Sequence, residues 1–226
     1  MLFFHRWRPL NAPGVTKNVL LAVNANGEIQ HWHTTSGRLL NTIAVPYQKI
    51  LCADYKADGT DFVTGGADNI IRVYDEVTRQ LKQEYVGGGT GPAGHNSRVT
   101  CTKYVDENLV VSGSWDKTIK VWDLRTPAPV RSIFGPYVAA DSIDVQDGVI
   151  LAGSNETTNQ LAMYSFDDGK LFDYIQWDDG NLQSPSPCKI YGAQFMKTTG
   201  EYVVAGGSGC NEVKIFDSVN AFQPVA

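Results

Sequence analysis

One motif recurs five times along the chain, and this repetition constrains the fold more than any other feature. Each copy centres on an aromatic residue, and successive aromatics lie 42, 48, 42 and 52 residues apart. The residue three positions before each aromatic is aliphatic, the next is mostly polar, and the one after that is mostly apolar. Alternation with a period of two is typical of a β-strand and not of a helix. The five aromatic residues are Trp32, Tyr74, Trp122, Tyr164 and Phe216.

Further strand signals flank each of these strands, so the repeating unit comprises four strands. A run that ends in small residues precedes each aromatic strand, and the turn between them is rich in Asn, Asp and Gly, which predicts a hairpin. Another apolar run precedes each hairpin, and a last one follows it in the first four units. The strands are predicted over 2–7, 19–27, 26–33 and 38–43; over 50–55, 61–68, 68–75 and 80–85; over 99–104, 109–116, 116–123 and 129–134; over 141–145, 148–156, 159–166 and 170–175; and over 190–195, 201–209 and 211–218. The residues after Phe216 predict no fourth strand in the fifth unit.

A four-stranded unit has two apolar faces and cannot bury both alone, so it must stack on copies of itself. Radial stacking predicts an all-β fold, a β-propeller of four-stranded antiparallel blades with about five blades present. We expect a single propeller domain over 1–226, with blades over approximately 1–45, 46–88, 95–135, 136–177 and 188–226. The composition agrees, since 22 Gly and 10 Pro disfavour a helical bundle and 42% apolar residues can form a core.

The third unit carries the most specific signal, reading GHNSRVTCTKYVDENLVVSGSWDKTIKVWD over residues 94–123. Its pair Gly94-His95, small-residue run 112–114, turn residue Asp116 and closing pair Trp122-Asp123 resemble the repeat of the WD-repeat β-propeller family. Four weaker copies extend the resemblance over about residues 2–218. Most members of that family close a ring of seven blades, so the resemblance implies an incomplete seven-bladed ring, truncated at one or both ends. A five-bladed ring and an open arc completed by another chain are the alternatives.

The resemblance also implies a buried hydrogen-bond network in the third unit. His95 is expected to reach Asp116, and Ser112 is expected to bridge His95 to the indole nitrogen of Trp122. A buried imidazole and a buried indole N–H both need partners, which gives this network its physical reason. A His-Ser-Asp set is also found in hydrolases, but this order and spacing favour the structural role. The other units lack the His, so apolar packing must stabilise them.

The turn before Asp116 is the candidate site for contact with a partner. In the resembled family, residues just before the turn Asp line one surface of the disc. Trp115 is the principal candidate there, because an exposed Trp brings a large contact area at a low cost in entropy; packing on a neighbouring loop is the alternative. Arg98, Lys117 and Asn96 are further candidates, and the matching small residues Ala25 and Ala67 could shape a shallow surface beside Trp115.

Four other features each have a functional and a structural interpretation, and the structural one is preferred in every case. His31 and His33 share a strand face and could begin a metal site, but no third ligand is visible. The Gly-rich segment 87–94 lacks the Lys-Ser/Thr of a phosphate-binding loop and is interpreted as an inter-blade loop. Ser184 and Ser186 each precede Pro and could be phosphorylated. The cysteines, expected to be buried and reduced, are Cys52, Cys101, Cys188 and Cys210; a disulfide pair stays open.

Charge and composition narrow the classes of function. The net charge is −5 and no block of Lys and Arg stands out, which disfavours nucleic-acid binding. No segment is apolar enough to cross a membrane, and nothing points to secretion, so we expect a cytoplasmic or other intracellular protein, nuclear and ciliary sites included. The leading hypothesis is a non-catalytic protein-interaction scaffold, a WD-repeat subunit of a larger complex, with no cofactor and no metal. Its partners would be other proteins or peptides that bind the propeller faces, with no membrane partner.

Two alternatives come from other classes of function. A propeller hydrolase would need carboxylates converging on a central metal, but Asp54, Asp141 and Asp144 on the innermost strands are not at equivalent positions. A nucleic-acid-associated propeller would use the mildly basic first quarter of the chain. Its basic residues are Arg6, Arg8, Lys17, Arg38, Lys49 and Lys56.

Overall fold

The computed structural model of the chain describes residues 2–14, 16–86, 94–177, 187–220 and 222–225. These residues form twenty β-strands, and no helix occurs among them. The strands assemble into five four-stranded sheets, numbered here in the order of the chain. In every sheet the strands follow one another in chain order, and neighbours run antiparallel. The expected all-β fold of about five four-stranded antiparallel units is therefore confirmed.

The strand bounds are as follows. Sheet 1 contains β1 Leu2–Trp7, β2 Val19–Asn24, β3 Glu28–His33 and β4 Arg38–Ala44. Sheet 2 contains β5 Ile50–Tyr55, β6 Asp61–Gly66, β7 Ile71–Asp75 and β8 Leu81–Tyr85. Sheet 3 contains β9 Val99–Tyr104, β10 Leu109–Ser114, β11 Thr118–Asp123 and β12 Pro129–Phe134. Sheet 4 contains β13 Ile143–Gln146, β14 Val149–Gly153, β15 Leu161–Ser165 and β16 Leu171–Tyr174. Sheet 5 contains β17 Lys189–Phe195, β18 Tyr202–Ser208, β19 Val213–Asp217 and β20 Gln223–Pro224.

The fifth unit differs from its prediction, because it does have a fourth strand. The two-residue strand β20 pairs with the end of β19, with Phe216 opposite Pro224 and Asp217 opposite Gln223. The Asp217 carboxylate makes this return possible, since its Oδ1 accepts hydrogen bonds from the backbone N–H groups of Val219 and Asn220. A strand this short leaves no periodic pattern in the sequence, which is why the prediction missed it.

The turns between the second and third strands of each sheet use the residue types that tight turns require. In sheet 1 the Asn24 side chain accepts hydrogen bonds from the backbone N–H groups of Asn26 and Glu28. At the end of the turn, Gly27, Asn69 and Lys117 occupy matching places in sheets 1, 2 and 3 with φ angles of 77°, 68° and 61°. The predicted second and third strands were therefore too long, because their shared ends are turn residues.

Residue contacts divide the chain into two compact units. One comprises Met1–Asp116 and Lys120–Val130, and the other comprises Lys117–Ile119 and Arg131–Ala226. In the first unit, one apolar core joins sheet 1 to sheet 2 and another joins sheet 2 to sheet 3. In the second unit, a core joins sheet 4 to sheet 5. Within each unit, neighbouring sheets thus bury apolar side chains against each other, as the stacking argument required.

Candidate functional site

The His95 cluster lies within sheet 3 and consists of His95, Ser112, Asp116 and Trp122. The Nδ1 atom of His95 is 2.9 Å from Oδ2 of Asp116, and its Nε2 atom is 2.7 Å from Oγ of Ser112. The indole N–H of Trp122 donates to the same Oγ at 2.8 Å. A carboxylate can only accept, so the Nδ1–H of His95 donates to Asp116, and Nε2 then accepts the Ser112 hydroxyl proton. The four side chains form one directed chain of hydrogen bonds.

Burial determines the ionisation of this cluster. His95, Ser112 and Trp122 are each at most 1% exposed. Burial lowers the pKa of His95, and the partly compensating effect of Asp116 does not restore it. A neutral imidazole is the form that the chain of hydrogen bonds requires, since a protonated ring would leave Ser112 without its acceptor. Asp116 also accepts the backbone N–H of Asn96, which ties the segment before β9 to the turn.

Sheet 2 replaces this arrangement by an ion-pair network at its matching turn. Oδ2 of Asp68, which matches Asp116, accepts a hydrogen bond of 2.7 Å from the Arg72 guanidinium. The same guanidinium donates to Glu84 on the outer strand at 2.7 Å. In place of the indole, Tyr74 stacks on Phe62 with ring centroids 5.0 Å apart. The turn carboxylate is therefore satisfied without a histidine.

The candidate contact residues of the sequence analysis lie on the surface next to the His95 cluster. The guanidinium of Arg98 lies over the Trp115 ring, 4.0 Å from its centroid. Trp115 is partly buried, whereas Asn96 and Arg98 are exposed. The backbone N–H of Trp115 donates to the carbonyl oxygen of Arg98, which holds the two residues side by side. We name Asn96, Arg98 and Trp115 the Trp115 surface.

Lys117, the fourth candidate, makes a different contact. Its Nζ atom is 2.6 Å from Oε1 of Glu156, and both side chains are largely exposed. An exposed ion pair of this kind contributes little to stability and can be exchanged for an interaction with a partner. At the positions matching Trp115, the small residues Ala25 and Ala67 are partly buried.

A second polar cluster, which we name the Glu76 cluster, was missed by the sequence analysis. Glu76 follows β7 and is 2% exposed. It accepts hydrogen bonds from the guanidinium of Arg8 at 3.1 Å, from Nε2 of His31 at 3.0 Å and from the hydroxyl of Tyr55 at 3.1 Å. Burial raises the pKa of Glu76, but the hydrogen bonds and charges of His31 and Arg8 outweigh it, so the pKa lies below its usual value. The cluster joins sheet 1 to sheet 2 through an ionised carboxylate.

His31 and His33, which could have begun a metal site, make contacts with different partners. His31 is fully buried in the Glu76 cluster, whereas Nδ1 of His33 lies 2.6 Å from Oγ of Ser36 at the surface. Within the described ranges, no group of three or more His, Cys, Asp or Glu side chains could hold a metal ion. The four cysteines are free thiols, three of them buried and Cys210 partly buried. Residues 87–93, Ser184 and Ser186 lie outside the described residues.

The inner-strand carboxylates need one correction. Asp54 and Asp144 do occupy equivalent positions, because they lie opposite Val63 and Leu151 on matching second strands. Each accepts a backbone N–H from the inner strand of the following sheet, Asp54 from Tyr104 and Asp144 from Phe195. The sequence also carries this equivalence, because Asp54 and Asp144 each lie 20 residues before the aligned aromatic of their unit, Tyr74 and Tyr164.

Both carboxylates are paired with cations. Asp54 accepts a hydrogen bond of 3.0 Å from the Arg6 guanidinium, and Asp144 accepts bonds of 2.6 and 2.7 Å from the Lys197 ammonium. Burial raises the pKa of Asp54, and the charges of Lys103 and Arg6 act against it. Through these contacts, the two carboxylates hold neighbouring sheets together.

Comparison with known proteins agrees with the geometry. Residues 37–75 and 90–123 match the family model described as "WD domain, G-beta repeat". The chain is 30% identical over 108 residues, 46% of its length, to the mRNA export factor GLE2 of Chaetomium thermophilum. It is 32% identical over 91 residues, 38% of its length, to the poly(A)+ RNA export protein of Schizosaccharomyces pombe. It is 28% identical over 155 residues, 65% of its length, to the protein SPA1-related 3 of Arabidopsis thaliana.

These matches to the WD-repeat model at two segments confirm the resemblance drawn from the third unit. The chain covers 28%, 24% and 17% of the lengths of the three relatives, in the order given. A count of seven blades therefore stays a prediction for this chain. Among the described residues, no helix has the length and apolar character needed to cross a bilayer.

Proposed function

We propose that the chain is a non-catalytic protein-interaction scaffold and a subunit of a larger intracellular complex. The Trp115 surface is the contact site in this proposal. The observation that carries it is the stacking of Arg98 on Trp115 at 4.0 Å beside exposed Asn96. Trp and Arg are the residue types most enriched among binding hot spots, and the pair is already held in position before a partner arrives.

The burial and pairing of the polar side chains support a scaffold function and not a catalytic one. The His-Ser-Asp set of sheet 3 is buried, and its serine hydroxyl is occupied by His95 and Trp122. A nucleophilic serine must be reachable by substrate, and Ser112 is 0% exposed. The inner carboxylates Asp54 and Asp144 are paired with Arg6 and Lys197, so they support no metal-dependent hydrolase.

The relatives support the class of function more than a particular pathway. Two of them are named as RNA export proteins, whereas the third, which matches the longest segment, has a different name. What the three share with this chain is the WD repeat. We therefore propose partners that are proteins or peptides, and an intracellular location that leaves the nucleus and the cytoplasm open.

Affinity capture with matched variants tests this function. The tagged full chain is compared with Trp115→Ala and Arg98→Glu by quantitative mass spectrometry of co-purified proteins. Both variants are expected to lose a shared set of partners by at least about tenfold, because each removes half of the stacked pair. Phe134→Ala, which removes an aromatic ring that is 79% exposed on β12, is the control and is expected to retain the set.

Folding of each variant is checked by its thermal unfolding transition. Two results would contradict the proposal: an equal loss of partners with Phe134→Ala, or no set of proteins that distinguishes the wild type from the two surface variants.

A further inference from the structure

The Tyr164 pocket is a cavity of about 270 Å³ beside the turn that connects β14 to β15. Every residue that lines it belongs to the second compact unit. Small-molecule sites in proteins usually measure about 300–1,000 Å³, so a cavity of this size accepts the end of one side chain. The lining residues include Lys117, Gly135, Ser154, Glu156, Tyr164 and Tyr174.

Hydrogen bonds hold the walls of this pocket in place. The backbone N–H of Gly135 donates to the carbonyl oxygen of Lys117 at 3.0 Å, and the N–H of Asn155 donates to the carbonyl oxygen of Tyr137 at 2.9 Å. The N–H of Tyr137 in turn donates to Oγ of Ser154 at 3.1 Å. The segment after β12 is therefore tied both to the turn before β11 and to the turn after β14, so the pocket is formed before a ligand arrives.

The hydroxyl of Tyr164 has no hydrogen-bond partner among the residues that the structure describes, although Tyr164 is only 5% exposed. A Cβ atom built on Gly135 would lie 3.0 Å from this hydroxyl oxygen, so the missing side chain leaves room beside it. Tyr174 on β16 lies opposite Ala162, two residues before Tyr164, so both rings lie on one face of sheet 4. Burial raises the pKa of Tyr164 to about 12, and Tyr174 adds to this effect, so the phenol keeps its proton and can donate it.

Ser154 supplies a second donor to the pocket. It is 2% exposed, and its Oγ atom accepts the backbone N–H groups of Tyr137 at 3.1 Å and Glu156 at 3.3 Å. Both lone pairs of this oxygen are then in use, and no acceptor for its own proton occurs within the described part of the chain. Ser154 can therefore only donate to a ligand. Thr158 and Asn159, which also line the pocket, are exposed and can donate or accept.

Of the described residues that line the pocket, Lys117 and Glu156 are the charged ones, and they pair with each other. The Lys117 and Glu156 side chains are 60% and 42% exposed. Glu156 is the one obligate acceptor of this described lining, whereas Lys117 and Ser154 can only donate. Because an exposed ion pair contributes little to stability, the Glu156 carboxylate can turn to solvent and leave its place on Lys117 to another oxyanion.

We propose that the Tyr164 pocket binds an acidic side chain of a peptide partner, whose oxyanion accepts hydrogen bonds from Lys117, Ser154 and Tyr164. The bound oxyanion takes the place that the Glu156 carboxylate holds on Lys117. The carboxylate of glutamate and the phosphate of phosphoserine share this chemistry, since both accept charge-assisted hydrogen bonds. The inference rests on the proposed function in one respect, which is that a peptide carries the oxyanion. No residue of the Trp115 surface is among the described residues that line the pocket.

Fluorescence polarisation with the purified full chain and labelled peptide pools tests the proposal. The pools share random flanking positions, and their central residue is phosphoserine, glutamate, serine or lysine. The phosphoserine pool, the glutamate pool or both are expected to bind at least about tenfold more tightly than the serine and lysine pools. Which of the two acidic pools binds identifies the source of the oxyanion.

The two members of the ion pair are expected to act in opposite directions. Lys117→Met should weaken binding of the acidic pool by at least about tenfold, because it removes the cation. Glu156→Gln should strengthen binding by about two- to fivefold, because it removes the competing carboxylate. The matched controls are Lys170→Met and Asp168→Asn, which change an exposed ion pair of 2.7 Å in the β15–β16 turn and should bind like the wild type.

Tyr164→Phe separates a ligand-binding role of the hydroxyl from a structural one. It should weaken binding by at least about fivefold without lowering the midpoint of thermal unfolding, because the hydroxyl that it removes has no partner among the described residues. Trp115→Ala should bind the acidic pool like the wild type, so failure of this inference can be told from failure of the proposed function.

Three results would overturn the inference. The acidic pools bind no more tightly than the serine pool, Lys117→Met binds them like the wild type, or Glu156→Gln weakens binding. The last result would mean that Glu156 itself holds a cationic ligand.

Discussion

The His95 cluster and the Glu76 cluster are both buried polar networks, but one lies within a single sheet and the other joins two sheets. In the His95 cluster, three side chains of sheet 3 and the preceding His95 form a chain of hydrogen bonds that needs no ionised member except Asp116, at the end of the chain. In the Glu76 cluster, a buried carboxylate accepts from Arg8, His31 and Tyr55.

The difference concerns what each network stabilises. The His95 cluster fixes the inner, second and third strands of one sheet against each other, whereas the Glu76 cluster fixes the stacking of sheet 1 on sheet 2. A charge-based network is the more costly to break, because removing one partner leaves other polar groups buried and unsatisfied. We therefore expect the Glu76 cluster to dominate the stability of the first unit.

Replacing Glu76 should have the largest effect. Glu76→Ala leaves Arg8, His31 and Tyr55 without their shared acceptor, and we expect the free energy of unfolding to fall by about 3–5 kcal/mol. Urea unfolding followed by tryptophan fluorescence measures the change. Glu107→Ala, at an exposed site, is the control and should change stability by less than about 0.5 kcal/mol. A loss below about 1 kcal/mol for Glu76→Ala would reverse the ranking of the two clusters.

Replacing His95 should have the next largest effect. His95→Ala removes the acceptor of the Ser112 hydroxyl and the donor to Asp116, and we expect a loss of about 2–3 kcal/mol. The double variant His95→Ala/Ser112→Ala should lose clearly less than the sum of the two single losses, because the residues act in one chain. His95→Ala/Glu76→Ala should be additive within about 0.5 kcal/mol, since the clusters share no residue. Additivity within the first pair would show that the chain of hydrogen bonds is not a unit.

The two clusters also show how far sequence could predict this molecule. His95, Ser112, Asp116 and Trp122 lie in one repeat at spacings that carry a family resemblance, so their contacts could be expected before the structure. The three partners of Glu76 come from three separate segments in two repeats, and Glu76 itself lies in a fourth. Glu76 lies where sheet 3 has Leu124, and no period marks the exchange of an apolar residue for a carboxylate. Contacts between repeats depend on strand register, which a sequence pattern does not specify.

The strands, like the clusters, include some that the sequence predicted and some that it missed. The apolar runs before the hairpins predicted the inner strands of sheets 1, 2 and 3 to the residue. The inner strand of sheet 4 begins at Ile143, two residues later than predicted, and β20 was missed. The equivalence of Asp54 with Asp144 was missed although the sequence carries it, since both lie 20 residues before an aligned aromatic, and their pairing with Val63 and Leu151 shows it directly.

The pH dependence of stability distinguishes the clusters by their ionisation. Burial lowers the pKa of His95 below its ordinary value of 6.5, so the unfolded chain binds the proton first as the pH falls. Stability from this site is complete above about pH 6.5 and is lost toward the folded pKa, with a slope of at most about 1.4 kcal/mol per pH unit. The Glu76 contribution is lost only below its ordinary value of 4.5, because its folded pKa is lowered.

Unfolding curves at closely spaced pH values check this order. His95→Gln cannot take up the proton, so it should be less stable at pH 7 but should lose less stability than the wild type on going from pH 7 to pH 5. If the two slopes are equal, His95 does not control stability in this window. Glu76→Gln should leave the slope between pH 7 and pH 5 unchanged, because Glu76 stays ionised throughout it.

The smallest expected effect belongs to the stacked pair of the Trp115 surface, which contrasts with both buried clusters. Arg98 is exposed, and a cation over an aromatic ring at an exposed site contributes about 0.5–1 kcal/mol. We expect Arg98→Ala to lower the free energy of unfolding by no more than this, with Arg98→Lys intermediate because the ammonium stacks less well than the guanidinium. A loss as large as that of His95→Ala would mean that Arg98 supports the fold. A small loss means that the binding defect expected of Arg98→Glu reports on the surface itself, because the sheet beneath it is stabilised by the His95 cluster.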